Sequence, residues 1–307
     1  MKYKNLVDPE LKKAAVNIPY NKFMIYCDKV THGFISRLTK TVPNVNKRML
    51  VTQGYNDLDF QTEFFEPVNN HEKLPALIFI HGGAFSYKAA SYHIQLAAIY
   101  AVKAGCRVFL PDYHLLPDHP WPAAWHDCLS LYRYIGENPD LLGIDAGKIG
   151  VTGDSAGALF AEMLCNLYEK EDLKKPCLQM LVYPLTDCDT GRDSMMKNSD
   201  APVWNLKGQE RMMTYYFPGM NTEEIRKLMP MQQELPQCIP DTYIETAEYD
   251  ILHDEGIIYG KKLEEAGARV EINETTGTFH GYDASLNSKI VKRNIDKRIA
   301  FLKKAYD

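Results

Sequence analysis

The sequence predicts an α/β protein, a mostly parallel, doubly wound sheet carrying a helical cap, and three observations point to it. Short, continuous apolar runs such as Leu74-Pro75-Ala76-Leu77-Ile78-Phe79-Ile80 are of the kind buried on both faces of a parallel sheet. Segments with helical apolar spacing separate these runs, and repeated strand and helix units joined by right-handed crossovers build such a sheet. One interruption, about residues 186 to 240, is too long for a loop between sheet strands and contains helical patterns of its own.

Taken in order, residues 1–48 form an N-terminal cap segment, helical from Pro9 to Ala15 and apolar-periodic from Phe23 to Leu38, with nothing resembling a strand. The main domain occupies 49–307. Alternation at Leu58, Phe60, Thr62 and Phe64 marks the first, half-buried strand, antiparallel at a sheet edge. Further strands are expected at 74–80, 107–110, 148–152, 178–182, 243–246 and 270–273. Helices are expected at 91–104, 123–135, from Ala156 to about Tyr168, at 255–266 and at 286–305. Within the inserted cap segment, about 186–240, one helix runs from Leu206 to Phe217 and another begins near Asn221, spaced from Glu224 as a capping-box variant. Methionines 195, 196, 212, 213, 220, 229 and 231 lie here beside Trp204, Tyr215, Tyr216 and Phe217. Flexible Met fills gaps under small helices, and it also makes an adaptable apolar wall for an acyl or alcohol group. On the second reading Phe85, Met212 and Tyr216 are the pocket candidates.

With 307 residues, 45% hydrophobic and 24% charged, the chain is long enough for one large domain and an accessory element. Its formal charge of −5 is offset by no basic cluster, so nucleic acid and an anionic membrane surface are not expected partners. No run approaches the roughly 18 apolar residues of a membrane span, and no secretory leader is read at the N-terminus. Seven scattered cysteines without a Cys-x-x-Cys pair suggest reduced thiols rather than zinc or redox exchange. A cytoplasmic enzyme, compatible with a homodimer, is the expectation.

The chemistry starts at Gly153-Asp154-Ser155-Ala156-Gly157, placed between a predicted strand and a predicted helix. That context is what a Gly-x-Ser-x-Gly nucleophile elbow requires, a serine on a sharp turn with glycines letting neighbouring backbone pass. A serine hydroxyl is a weak nucleophile, so it needs an imidazole base, and the imidazole needs a carboxylate to fix its tautomer. In the fold that carries this elbow the chain order is Ser, then Asp or Glu, then His. Only His253 and His280 follow Ser155. His280, in the glycine-flanked segment Gly277-Thr278-Phe279-His280-Gly281-Tyr282, is the base; His253 suits a solvent-facing or capping role near a helix start. Among Glu248, Asp250, Asp254 and Glu255, position favours Asp250 as the acid. It lies in the turn after a strand, whereas Asp254 and Glu255 fall in a first helical turn, where carboxylates meet the dipole whatever the function. His81-Gly82-Gly83-Ala84, directly after a strand, offers amides for an oxyanion hole alongside that of Ala156. Asp154 reads as a supporting carboxylate rather than the catalytic acid.

On these motifs the chain resembles the hormone-sensitive-lipase-like branch of the α/β-hydrolases, the microbial carboxylesterases and acetyl esterases, over most of residues 58–307. Carrying the resemblance are His81-Gly82-Gly83, the elbow, Asp250 within Asp-Ile-Leu-His-Asp-Glu, His280 within Phe-His-Gly-Tyr, and the supporting segment Asp112 to Pro117 with Pro122-Ala123-Ala124 and Asp127. It implies an α/β-hydrolase fold with an N-terminal and inserted cap, no cofactor or metal, and hydrolysis of a small-molecule ester with a short acyl group, about four to six carbons at most. By position Ser155 is the nucleophile, His280 the base, Asp250 its orienting acid, Gly83, Ala84 and Ala156 the oxyanion hole, with His81 and Gly82 supporting the loop. Two departures stand out: Ala84 replaces a third glycine, and His114 replaces a usual arginine. An acyltransferase or peptidase could use the same triad; a non-catalytic receptor is disfavoured because both Ser155 and His280 are present.

Overall fold

A computed structural model describes residues 2–29, 39, 41–68 and 72–307. An eight-stranded sheet runs β1 (Val45–Gln53), β2 (Asp59–Pro67), β4 (Arg107–Asp112), β3 (Leu74–Ile80), β5 (Ile144–Asp154), β6 (Leu178–Val182), β7 (Asp241–Tyr249) and β8 (Val270–Phe279) across its width. The β1–β2 and β2–β4 pairings are antiparallel, and the rest are parallel. This is the mostly parallel, doubly wound sheet expected from the alternation of elements, in the α/β-hydrolase form that the resemblance implies. The order turns back at β3, so β5 and its following helix emerge at the centre of the sheet, where open α/β sheets place their sites.

Side chains of the central strands feed two cores. Ala76, Ile78 and Ile80 of β3 point to one face with Phe109, Val151 and Phe160. Leu77 and Phe79 point to the other with Val108, Met180 and Tyr243. This period-two split of a continuous apolar run is what burial on both faces requires.

Three expectations are corrected. The sheet begins at β1 rather than near Leu58, and the boundary expected at residue 48 falls inside that strand. Most of β1 is exposed, with only Thr52 buried, so no alternating signal marks it; it forms by pairing with β2 along its whole length. Pro9 to Ala15 is a series of turns, closed by bonds such as Ala14 N to Leu11 O, rather than a helix. Of the periodic stretch 23–38, residues 23–29 are helical and 30–38 lie outside the described residues.

Helices Ser91–Ala104, Ala123–Glu137, Ala156–Leu167, His253–Glu265 and Lys289–Tyr306 cover the sheet. Between β6 and β7 lie short helices at Asp193–Lys197, Leu206–Tyr216 and Thr222–Leu228. Asn221 and Glu224 do form a reciprocal capping box. The inserted segment docks on the N-terminal one through Val203 N to Val16 O at 2.7 Å, Arg211 Nη1 to Tyr20 O at 3.1 Å and the edge-to-face rings of Tyr20 and Trp204. Among the described residues no helix is long and apolar enough to cross a membrane.

The closing helix sends Arg298, 1% exposed, under the loop that follows β8. Its guanidinium pairs with Glu245 of β7 and lies 3.0 Å from Asp283. Glu245 also accepts hydrogen bonds from Tyr243 at 2.8 Å and Tyr282 at 2.6 Å. Burial alone would raise the Glu245 carboxyl, but Arg298 and the two phenols outweigh it and hold its pKa below the usual value. At Asp283 burial wins over Arg298 and the pKa rises. Arg298→Met would leave Glu245 buried without its cation. Breaking such a pair costs about 3–5 kcal/mol, so urea unfolding should show a loss of that size, and a wild-type midpoint would refute a net stabilising role.

Candidate active site

Ser155 sits between the end of β5 and the helix Ala156–Leu167, at φ 54° and ψ −123°, a conformation costly for a non-glycine residue and imposed by its surroundings. A Cβ at Gly157 would lie 2.1 Å from Ile80 O, and one at Gly153 would lie 2.5 Å from the Gly157 carbonyl carbon. The two glycines are therefore needed for backbone contact across the turn rather than for unusual dihedral angles. Ser155 N donates to Val182 O at 2.9 Å and Leu185 N to Ser155 O at 3.2 Å, which tie the turn to the end of β6.

His280, Asp250 and Ser155 converge although 125 residues separate the first from the last. His280 Nε2 lies 2.7 Å from Ser155 Oγ, and His280 Nδ1 lies 2.7 Å from Asp250 Oδ2. Asp250 is fully buried, and its other oxygen accepts Leu252 N at 3.0 Å. With that carboxylate accepting from Nδ1–H, the lone pair of Nε2 is directed at the serine. The inserted segment braces the acid loop: Asn198 Nδ2 donates to Asp250 O at 3.1 Å and Ser194 Oγ to Ile251 O at 2.9 Å. Of the other carboxylates weighed for the acid, Glu248 accepts Gly277 N, Asp254 accepts Ser194 N and Glu255 accepts Thr186 N. His253 contacts Asp254 and Glu274 away from the serine.

The amides of Gly83, Ala84 and Ala156 have no hydrogen-bond partner among the described residues, and Gly83 and Ala84 line the cavity at Ser155. Ala156 opens the twelve-residue elbow helix, whose N-terminal dipole favours negative charge. Gly83 has φ 121°, and a Cβ there would meet Tyr87 O at 2.5 Å. Ala84 takes φ 52° despite its methyl group. Its left-handed turn is held by Ser86 Oγ, which donates to Ala84 O at 3.0 Å, and by the Tyr20 hydroxyl, 2.5 Å from Ser86 Oγ. The missing third glycine is thus compensated by a brace from the N-terminal segment.

Asp154 joins the elbow to this loop. Its Oδ1 accepts Gly82 N at 2.9 Å and its Oδ2 lies 3.1 Å from His93 Nε2. Because His93 Nδ1 accepts the amide of Ala90 at 2.8 Å, the ring proton resides on Nε2 and is donated to Asp154. Burial works to raise the Asp154 carboxyl, yet His93 and the Gly82 amide prevail and its pKa is lowered. Next to it, burial and the neighbouring His93 push His81 down to about 4, so this imidazole is uncharged at neutral pH. It donates from Nδ1 to Gly82 O at 2.7 Å and stacks on Tyr113. The supporting carboxylate Asp127 accepts Tyr55 N, His114 N and His114 Nδ1 at 2.7 to 2.9 Å, so His114 takes up a carboxylate contact where the resemblance led to an arginine.

A cavity of about 390 Å³ opens over Ser155 and His280, walled by Tyr20, Tyr87, Tyr183, Val203 and Trp204. The pocket candidates Phe85, Met212 and Tyr216 are not among its walls. Phe85, turned by its φ of 56°, is fully buried, stacks on Tyr216 at 3.9 Å and lies 5.4 Å from the tilted ring of Phe160. Met212 is buried in the same core. Of the aromatic and Met residues in the inserted segment, Trp204 reaches the cavity, whereas Met212 and Tyr216 pack beneath the cap. His93 and Tyr20 carry no sequence signal as site residues, because nothing in their local spacing separates them from packing residues.

Comparison with known proteins agrees with this fold. The family described as the alpha/beta hydrolase fold matches residues 77–284. Carboxylesterase NlhH of Mycobacterium tuberculosis is 32% identical over 286 residues, 90% of this chain and 88% of that protein. Esterase LipI of the same species is 34% identical over 211 residues, 68% of this chain and 65% of that protein. Among solved structures, a bacterial heroin esterase superimposes with a TM-score of 0.90 at 25% identity, covering the whole of both chains.

The Asp154 clamp has a measurable consequence. Since folding lowers the pKa of Asp154 below its ordinary 3.8, its charge stabilises the folded chain above that pH. The contribution is lost as the pH falls through the lowered value. In Asp154→Asn the amide NH2 group would face the Nε2–H of His93, donor against donor, at a cost of about 1–3 kcal/mol. Denaturant unfolding should show the full gap at pH 7 and a narrowing gap below about pH 4; a gap independent of pH would contradict the charged clamp.

Proposed function

Since the chain belongs to the α/β-hydrolase family, in its hormone-sensitive-lipase-like branch, and is a carboxylic ester hydrolase, we propose that Ser155, His280 and Asp250 carry out the hydrolysis of short-acyl esters through a covalent acyl-enzyme. The observation that carries this assignment is the pair of 2.7 Å contacts linking Ser155 Oγ, His280 and Asp250. His280 Nε2 takes the hydroxyl proton as Ser155 Oγ attacks the ester carbonyl carbon. Asp250 stabilises the resulting imidazolium without being protonated itself. Negative charge developing on the carbonyl oxygen is met by the amides of Gly83, Ala84 and Ala156. Collapse of the tetrahedral intermediate breaks the bond to the alkoxy oxygen, which takes the proton from His280 and departs as the alcohol. A water then repeats the sequence on the acyl-serine, releasing the acid and restoring the Ser155 hydroxyl.

The size of the cavity supports a small substrate. At about 390 Å³ it lies toward the lower end of the ~300–1,000 Å³ range of small-molecule sites. Acyl chains up to about four to six carbons suit a cavity of this size.

Ser155→Ala should lower kcat on p-nitrophenyl acetate by at least about a thousandfold, and near-native turnover would refute the nucleophile. Asp250→Asn, which keeps the shape and removes the charge, should cost about 10⁴-fold in kcat with the near-ultraviolet circular dichroism unchanged. A series from acetyl to decanoyl esters should peak at or below hexanoyl; a maximum at decanoyl would overturn the short-acyl reading.

A further inference from the structure

The wall of the cavity carries a charge and a ring arrangement that ester hydrolysis does not need. Tyr20 sits 6.0 Å from Tyr87 and 5.5 Å from Trp204, with ring planes inclined at 80° and 82°, so the rings form a corner rather than a flat slot. The cluster already draws one ammonium: Lys22 Nζ lies 5.6 Å from the ring of Tyr215, itself 6.0 Å from Tyr20. Ring faces carry negative electrostatic potential and attract cations.

The charged groups on the wall do not balance. Lys88 is the one ammonium among the described residues that line the cavity, and it is paired with Asp112 at 2.5 Å. Asp154 is ionised and spends its oxygens on Gly82 and His93. Asp28 lines the cavity from the N-terminal segment. Its Oδ2 accepts the Lys88 amide at 3.2 Å, and it pairs with no cation among the described residues. Asp28 and Lys88 also line an adjoining hollow of about 270 Å³. There Asp59, Asp112 and Asp118 face Lys29 and Lys88, each of which is already paired with one of those carboxylates. The approach to Ser155 is therefore acidic, which concentrates cations and repels anions.

We propose that this esterase is selective for esters of cationic amino alcohols, whose quaternary or tertiary ammonium group is held by Asp28 and the rings of Tyr20, Tyr87 and Trp204. The claim rests on the esterase assignment to Ser155 and deepens it by naming the substrate class. The alcohol side is the one concerned because the alcohol leaves first. It must face the exit while the acyl group stays bonded to Ser155, and Asp28 is half-exposed where the cavity meets the second hollow.

The test compares acetylcholine with 3,3-dimethylbutyl acetate, in which carbon replaces the charged nitrogen at nearly constant shape. The ratio of their kcat/KM values within one preparation is independent of the folded fraction. The ratio should favour acetylcholine by about tenfold or more at low ionic strength and fall as salt is added. In Asp28→Asn it should drop toward one. A wild-type ratio near one, or a ratio unchanged in Asp28→Asn, overturns the proposal. Hydrolysis of p-nitrophenyl acetate by the same wild-type preparation separates the two readings. If that ester is cleaved while the ratio is flat, only the cation selectivity fails; if it is not cleaved, the esterase assignment fails with it.

Discussion

The contact between Gly157 and the carbonyl of Ile80 is the constraint on which the rest of the site depends. It brings the first turn of the elbow helix against the end of β3, leaving no room for a single methyl group. With that distance set, Ser155 is forced into its strained turn, and Asp154 lands beside the loop that leaves β3. The carboxylate then clamps Gly82, which in turn orients the next two amides. Nucleophile and oxyanion donors thus belong to one rigid assembly, built where two adjacent parallel strands end. Preorganised donors of this kind cost no reorganisation as charge develops.

The cap completes the assembly rather than merely covering it. Tyr20 from the N-terminal segment braces the carbonyl of Ala84 through Ser86, while Ser194 and Asn198 from the insertion hold the backbone of the acid loop. Each element of the cap therefore touches a different catalytic loop, and Tyr20 and Trp204 join the two cap elements directly over His280. A left-handed alanine at residue 84 costs roughly 1–3 kcal/mol, and it is tolerated because neighbouring groups over-determine the turn.

What was legible in the sequence follows the range of each signal. The buried parallel strands announce themselves by continuous apolar runs, since both of their faces are covered. The elbow announces itself by glycine spacing, since the contact it serves is local. The order of serine, acid and histidine could be read because the topology constrains it. By contrast, β1 is exposed and held by pairing alone, so its composition carries no pattern. Phe85, Met212 and Tyr216 were indistinguishable in sequence from wall residues, because stacking beneath the cap and lining a cavity both call for large apolar side chains. His93 and Tyr20 act through partners 61 and 66 residues away, a relation that no local spacing encodes.

The buried carboxylates around the site are sorted by their partners, and that sorting sets the field felt at Ser155. Glu162 on the elbow helix and Glu255 on the helix His253–Glu265 are fully buried; burial raises both pKa values well above normal, helped at Glu162 by Glu255 and at Glu255 by Asp187. Glu162 has no hydrogen-bond partner on either oxygen among the described residues, so the neutral acid is the form that its surroundings tolerate. Asp154 and Glu245, equally buried, are shifted the other way by His93, by Arg298 and by hydrogen-bond donors. Negative charge is thereby suppressed behind the elbow helix and retained on the cavity side at Asp154. Glu245 is neutralised by Arg298 in turn, so its charge serves packing under the His280 loop rather than the cavity. The cavity wall thus carries the charge of Asp154, kept ionised by its donors, beside that of Asp28, which pairs with no cation among the described residues.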